Sequence, residues 1–82
     1  MEFTKHVQVR EEKFGTVIFE TLKEKVFVTN PTGAEIVKLL QEKKSQTEIV
    51  QELAKTYNTT EPEIATDVNQ FIDNLVKNEV IL

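Results

Sequence analysis

The sequence predicts an α+β fold, winged helix-turn-helix-like, with a three-stranded antiparallel sheet followed by a three-helix bundle (βββααα). Three observations predict it. Residues 7–29 hold three short runs rich in valine, isoleucine and phenylalanine, the residue types that suit a pleated, half-buried surface. Beyond Pro31 the apolar spacing changes to three and four, the period of a helix. Ser, Thr and Pro start signals divide that second part into three helices.

The elements follow in order. Val7 and Val9 alternate with Gln8 and Arg10 in a first strand. Gly15 opens a second run, Thr16-Val17-Ile18-Phe19-Glu20, and Lys25-Val26-Phe27-Val28-Thr29 forms a third. The polar link Thr21-Leu22-Lys23-Glu24 between them predicts an antiparallel hairpin. Both of its strands are apolar on both faces, whereas a strand covered on one side alternates more cleanly. Something must cover the second face, or part of it awaits a partner.

Asn30-Pro31 ends the β region, because proline cannot donate to a ladder. Thr32 and Glu35 predict a capping box and a first helix over Gly33 to Glu42, with Ile36, Leu39 and Leu40 on one face. Ser45 with Glu48, or Thr47 alone, starts a second helix carrying Ile49, Val50, Leu53, Ala54 and Tyr57, which stops near Asn58. Thr60 with Glu63 and Pro62 starts the third and longest, which runs to Lys77 or Asn78. The terminal Val80-Ile81-Leu82 packs back on the core, Tyr57 is a core residue with its hydroxyl at the surface, and the segment around His6 is mobile.

On the third helix Ile64, Val68, Phe71 and Leu75 form one stripe; Ala65, Ile72 and Val76 form another. Together they make an apolar face about 140° wide, more than the ~100° of an ordinary surface helix. Either both stripes bury in one core, or one lines a groove. A sheet edge beside spare apolar helix surface is a strand-addition site, in which backbone bonds hold an extended peptide and side-chain pockets select it.

The chain has 82 residues, no cysteine, no internal repeat and no linker, so residues 1–82 are expected to form a single domain without disulfides. No apolar run is long enough to span a membrane and the first residues lack a signal-peptide core, which predicts a cytoplasmic protein. Ten basic and fourteen acidic residues give a formal net charge of −4, which argues against nucleic acid as partner. One histidine, one serine at the helix-capping Ser45 and two isolated glycines leave no metal site, nucleophile or phosphate loop. The expectation is a chain that is not an enzyme and carries no cofactor.

Several stretches, taken in order, resemble the PqqD-like family, or RiPP recognition elements. They are Arg10-Glu11-Glu12-Lys13-Phe14-Gly15 before a hydrophobic strand, the segment from Val28-Thr29-Asn30-Pro31-Thr32-Gly33 to Leu40, the helix Ser45-Gln46-Thr47-Glu48-Ile49 to Leu53, and Tyr57 with Asp67-Val68-Asn69-Gln70-Phe71-Ile72-Asp73-Asn74-Leu75. Two loops depart from the family pattern: Lys43-Lys44 and Asn78-Glu79 stand where glycine is common. The resemblance implies a domain that binds the leader of a ribosomally made precursor peptide and presents it to a modifying enzyme, commonly a radical S-adenosylmethionine (radical SAM) enzyme. It implies that the leader pairs beside the third strand and rests on the third helix. Carried onto this sequence, the peptide-binding positions are Lys25, Val26, Phe27, Val28, Thr29, Ala65, Asp67, Val68, Ile72 and Val76. If the helix acids Glu61, Asp67 and Asp73 line the groove, they favour a leader bearing Lys or Arg. The open edge allows a monomer or a weak, strand-exchanged dimer. Two alternatives are a winged-helix DNA-binding regulator and an enzyme-docking subunit that ignores leaders.

Overall fold

The computed structural model describes residues 2–81. Strands β1 (Val7–Glu12), β2 (Gly15–Glu20) and β3 (Lys25–Val28) precede helices α1 (Pro31–Gln41), α2 (Gln46–Thr56) and α3 (Glu61–Lys77). The sheet is antiparallel in the order β1-β2-β3, so β3 pairs only with β2. Paired residues share a face, which puts Val9, Ile18 and Phe27 toward the helices and Val17, Phe19, Val26 and Val28 on the opposite side. Ile18 is fully buried, whereas Val26 and Val28 are 59% and 64% exposed. The second apolar face inferred from the hairpin is therefore open to solvent along β3, while Val17 is buried and Phe19 half-buried on β2.

One core holds the layers together. Ile18 from the sheet meets Ile36, Val37 and Leu40 of α1, Ile49 and Leu53 of α2, and Ile64, Val68, Ile72 and Leu75 of α3. Val80 and Ile81 close the base, and the Thr4 N–H donates to the Val80 carbonyl at 3.0 Å beside a Phe3–Ile81 bridge. The segment around His6, expected to be mobile, is thus tied down, and the His6 carbonyl accepts from both the N–H and the hydroxyl of Thr21. Leu82 lies outside the described residues. Tyr57 is not a core residue: it is the C-cap of α2 and 43% exposed.

Two start signals act differently from the sequence reading. Asn30, not Thr32, caps α1: its side-chain oxygen accepts from the Gly33 N–H at 2.8 Å, and Pro31 takes the first helical position, where a missing N–H costs little. Thr60 occupies the N-cap of α3 but makes no side-chain cap bond, and the Glu63 carboxylate accepts from the Thr59 hydroxyl rather than completing a capping box. The Ser45–Glu48 capping box forms as expected, with bonds of 3.0 and 3.1 Å.

All three helices end alike. The N–H groups of Lys44, Thr59 and Val80 return to the carbonyls of Leu39, Ala54 and Leu75, closing Schellman motifs. Each needs a left-handed residue, and these are Lys43 (φ 64°), Asn58 (φ 52°) and Glu79 (φ 60°). Glycine is absent from all three positions. Lys43 and Glu79 fall in the two loops, Lys43-Lys44 and Asn78-Glu79, where the sequence departs from the pattern it resembles.

Two stability measurements check these local arguments. Lys43→Gly removes a left-handed side chain at an exposed site, and net of glycine's entropy it should stabilise by about 0.5–1 kcal/mol, a rise of several degrees in Tm. The Ser45 backbone N–H, then the Ser45 side chain, hold the Glu48 carboxyl below its ordinary pKa. A depressed folded value adds stability above the unfolded carboxylate range and loses it as pH falls through the folded value. Glu48→Gln should therefore melt below the parent at neutral pH, with the gap closing as pH drops below about 4.

Candidate functional site

Backbone phase decides what β3 offers. The Thr29 N–H donates to the Thr16 carbonyl at 2.9 Å, and the Thr16 N–H donates to the Thr29 hydroxyl at 3.0 Å. Antiparallel pairs alternate between bonded and non-bonded, so the bonded pairs that follow are Ile18–Phe27 and Glu20–Lys25. The N–H and C=O groups of Val26 and Val28 consequently point away from β2. Among the described residues, no backbone hydrogen bond outside the strand ladders and helices uses them either. The opposite outer strand is better protected, since Arg10, Glu11 and Glu12 of β1 are exposed charges that discourage pairing.

The hairpin that presents this edge is fastened at both ends. At the β2–β3 turn the buried Glu20 carboxylate accepts from the Leu22 and Lys23 N–H groups, both at 2.9 Å, and Glu24 takes a left-handed φ of 57°. At the other end the Thr29 carbonyl presses on Gly15, where an added Cβ would lie 2.0 Å away and φ is 149°. Both facts demand glycine there.

Helix α3 runs antiparallel to β3 across a slot. The Lys25 ammonium reaches the Asn78 side-chain oxygen at 3.4 Å, and Lys23 pairs with Glu79. At the far end the Phe71 ring and the Thr29 side chain meet over Gly33, where an added Cβ would stand 2.9 Å from each. The four strand steps from Lys25 to Thr29 span about 13 Å, and the seven helical steps from Phe71 to Asn78 span about 10 Å, so the two walls run side by side over most of the strand. The slot ends in an open cavity of about 350 Å³ lined by Asn30, Thr32, Gly33, Ile36, Asp67, Gln70, Phe71 and Asn74.

The helix positions named from sequence distribute unevenly around this slot. Asp67 is exposed on the cavity wall. Val68 and Ile72 are in the core, at 0% and 3% exposure, so they lie beneath the surface. Ala65 and Val76 sit roughly 160–180° around the helix from Asp67. That is the side on which Asn69 bonds Gln46 of α2. The second apolar stripe therefore turns toward α2, and the slot is walled instead by the margin Asp67-Gln70-Phe71-Asn74. Gln70 and Asn74 carry no apolar signal, because a groove wall at a helix margin is mostly polar, and Phe71 reads from sequence as part of the core stripe with Ile64, Val68 and Leu75. Gln70, Phe71 and Asn74 lie three, four and seven positions from Asp67, the spacing of one helical face, and that was the signal available in the sequence. Of the other acids, Glu61 borders a different cavity, beside the α2–α3 loop.

The same fold recurs in known proteins. The profile described as coenzyme PQQ synthesis protein D (PqqD) matches residues 15–81. The chain belongs to the PqqD family. No curated protein matches it in sequence. Among solved structures, TbiB1 in complex with the TbiA(beta) leader peptide is similar with a TM-score of 0.93 and 23% identity, over 99% of this chain and 94% of that one. Lasso peptide synthetase B1 complexed with the leader peptide has a TM-score of 0.89 and 21% identity, over 99% of this chain and 95% of that one. These likenesses establish the three-strand, three-helix PqqD fold. Among the described residues, no helix is long and apolar enough to cross a membrane.

The junction at the head of the slot makes its own test. Gly33→Ala must displace both the Phe71 ring and Thr29, and overpacking of this kind costs about 1–3 kcal/mol. Urea unfolding should show that loss, and an unchanged midpoint would mean that the ring and the strand do not meet over Gly33.

Proposed function

We propose that this chain binds the leader of a ribosomally synthesised precursor peptide and presents it to a modifying enzyme, a radical SAM enzyme. The observation that carries this reading is the unpaired backbone of Val26 and Val28 facing a slot walled by α3. Membership of the PqqD family and the two leader-bound structures of the same fold support it.

The leader adds as a fourth strand, bonding the free N–H and C=O groups of Val26 and Val28. Its residues opposite Lys25, Phe27 and Thr29 share the inward face of those side chains and fall toward α3. Asp67, Gln70, Phe71 and Asn74 meet them there, while Val68 and Ile72 support the wall from below. Backbone bonds supply sequence-tolerant affinity and the wall supplies choice. The domain itself carries out no chemistry. It raises the concentration of a flexible substrate beside the enzyme that modifies it.

Affinity near 1 μM, about −8 kcal/mol, is expected for such a peptide. Fluorescence anisotropy with labelled leaders, synthesised from short reading frames that flank the gene, measures it. Val28→Pro is the decisive variant. Its N–H faces outward, so the β2 ladder loses no bond, and proline is tolerated at such an edge position. The variant should keep the parent circular dichroism spectrum and bind at least tenfold more weakly. Full binding by a folded Val28→Pro chain would contradict strand addition at β3. A chain that copurifies with an enzyme yet binds none of these peptides would instead be a docking subunit.

A further inference from the structure

We infer that the cavity at the head of the slot is a specificity subsite for a cationic side chain, lysine or arginine, of the bound peptide. This inference rests on the leader-binding reading and names what that site selects. The cavity lies where Thr29, Gly33 and the Phe71 ring meet. In strand addition, the peptide residue opposite Thr29 projects toward it, because paired residues share a face.

Its walls fit a side chain with an apolar stem and a charged, hydrogen-bond-donating tip. The half-buried Phe71 ring supplies apolar surface for the stem, with the buried Ile36 beneath it. Around them stand Asn30, Thr32, Gln70 and Asn74, all able to accept a hydrogen bond through an amide or hydroxyl oxygen. Asp67 is the only charged residue in the lining, and it has no ion-pair partner among the described residues. The aromatic face beside it adds further attraction for a cation.

The nearby start of α1 does not reverse this sign. A bare helix N-terminus attracts anions through its unpaired N–H groups. Here Pro31 has no N–H, while Gly33 and Ala34 already donate to the side-chain oxygen and the carbonyl of Asn30. The overall charge of −4 points the same way. Asp67 is exposed, so its contribution is a preference and not the bulk of the affinity: about fivefold in binding.

The test is selection of a displayed random dodecapeptide library on the full chain and on two variants, Asp67→Asn and Asp67→Lys. Circular dichroism confirms that each is folded. The parent should enrich peptides with lysine or arginine at one fixed position, two residues from an apolar one. Asp67→Asn should lose that basic preference while keeping the apolar pattern. Asp67→Lys should replace it with aspartate or glutamate. For individual enriched peptides, exchanging the basic residue for norleucine should weaken parent binding about fivefold and leave Asp67→Asn binding unchanged. Apolar enrichment without a basic position, or the same basic preference in all three proteins, overturns the subsite and leaves peptide binding standing. Failure to enrich any peptide overturns the binding reading and the subsite with it.

Discussion

Thr29 sets the constraint on which the rest depends. Its hydroxyl takes the ladder bond from Thr16 that its own carbonyl would otherwise accept, and that carbonyl turns against Gly15. The bond fixes the phase of β3, so that Val26 and Val28 aim their polar backbone groups outward. One residue later Asn30 begins α1. The strand therefore ends after four residues, and the chain leaves the sheet without covering its edge. Open edges are usually hidden, blunted by charge or twisted away. Here the charges stand on β1, and exposed valines stand on β3.

The helical side of the slot is held by packing. Four residues of α3 are fully or nearly fully buried, which leaves that helix little freedom to rotate. Gly33 lets the Phe71 ring approach the first turn of α1, closing one end of the slot, and the Lys25–Asn78 and Lys23–Glu79 contacts border the other. Such a slot suits an extended chain better than a small molecule. Its cavity is open rather than enclosed, whereas small-molecule sites engulf most of the ligand surface. Rigid walls also reduce the ordering cost of binding, because only the incoming peptide must give up conformational freedom.

Much of this was legible in the residues. Three β-rich runs, their four-residue link and three helical segments appear where the periodicity places them, because the switch from period two to period three or four is a direct record of which faces are buried. Capping was less readable. Asn30 precedes a proline and so reads as a strand stop, yet the same pair makes a strong helix start. Thr60 and Glu63 have the spacing of a capping box, but the neighbouring Thr59 competes for the glutamate. The site was half legible. The β3 edge follows from strand order, whereas the face of α3 beside it depends on how α2 packs, and helical angles alone do not say that. Width also misled: apart from Phe71, both stripes of α3 serve the core or the α2 side, and the rest of the groove wall is the polar margin Asp67, Gln70 and Asn74, which carries no apolar pattern.

Amide hydrogen exchange read residue by residue across β3 probes the edge most directly. In the free protein the Phe27 and Thr29 amides should exchange slowly and those of Val26 and Val28 fast, the alternation set by the Thr29–Thr16 bond. Saturation with leader should slow Val26 and Val28 toward the rate of their neighbours. Slow exchange at both valines before any peptide is added, or fast exchange that persists at saturation, would contradict the account.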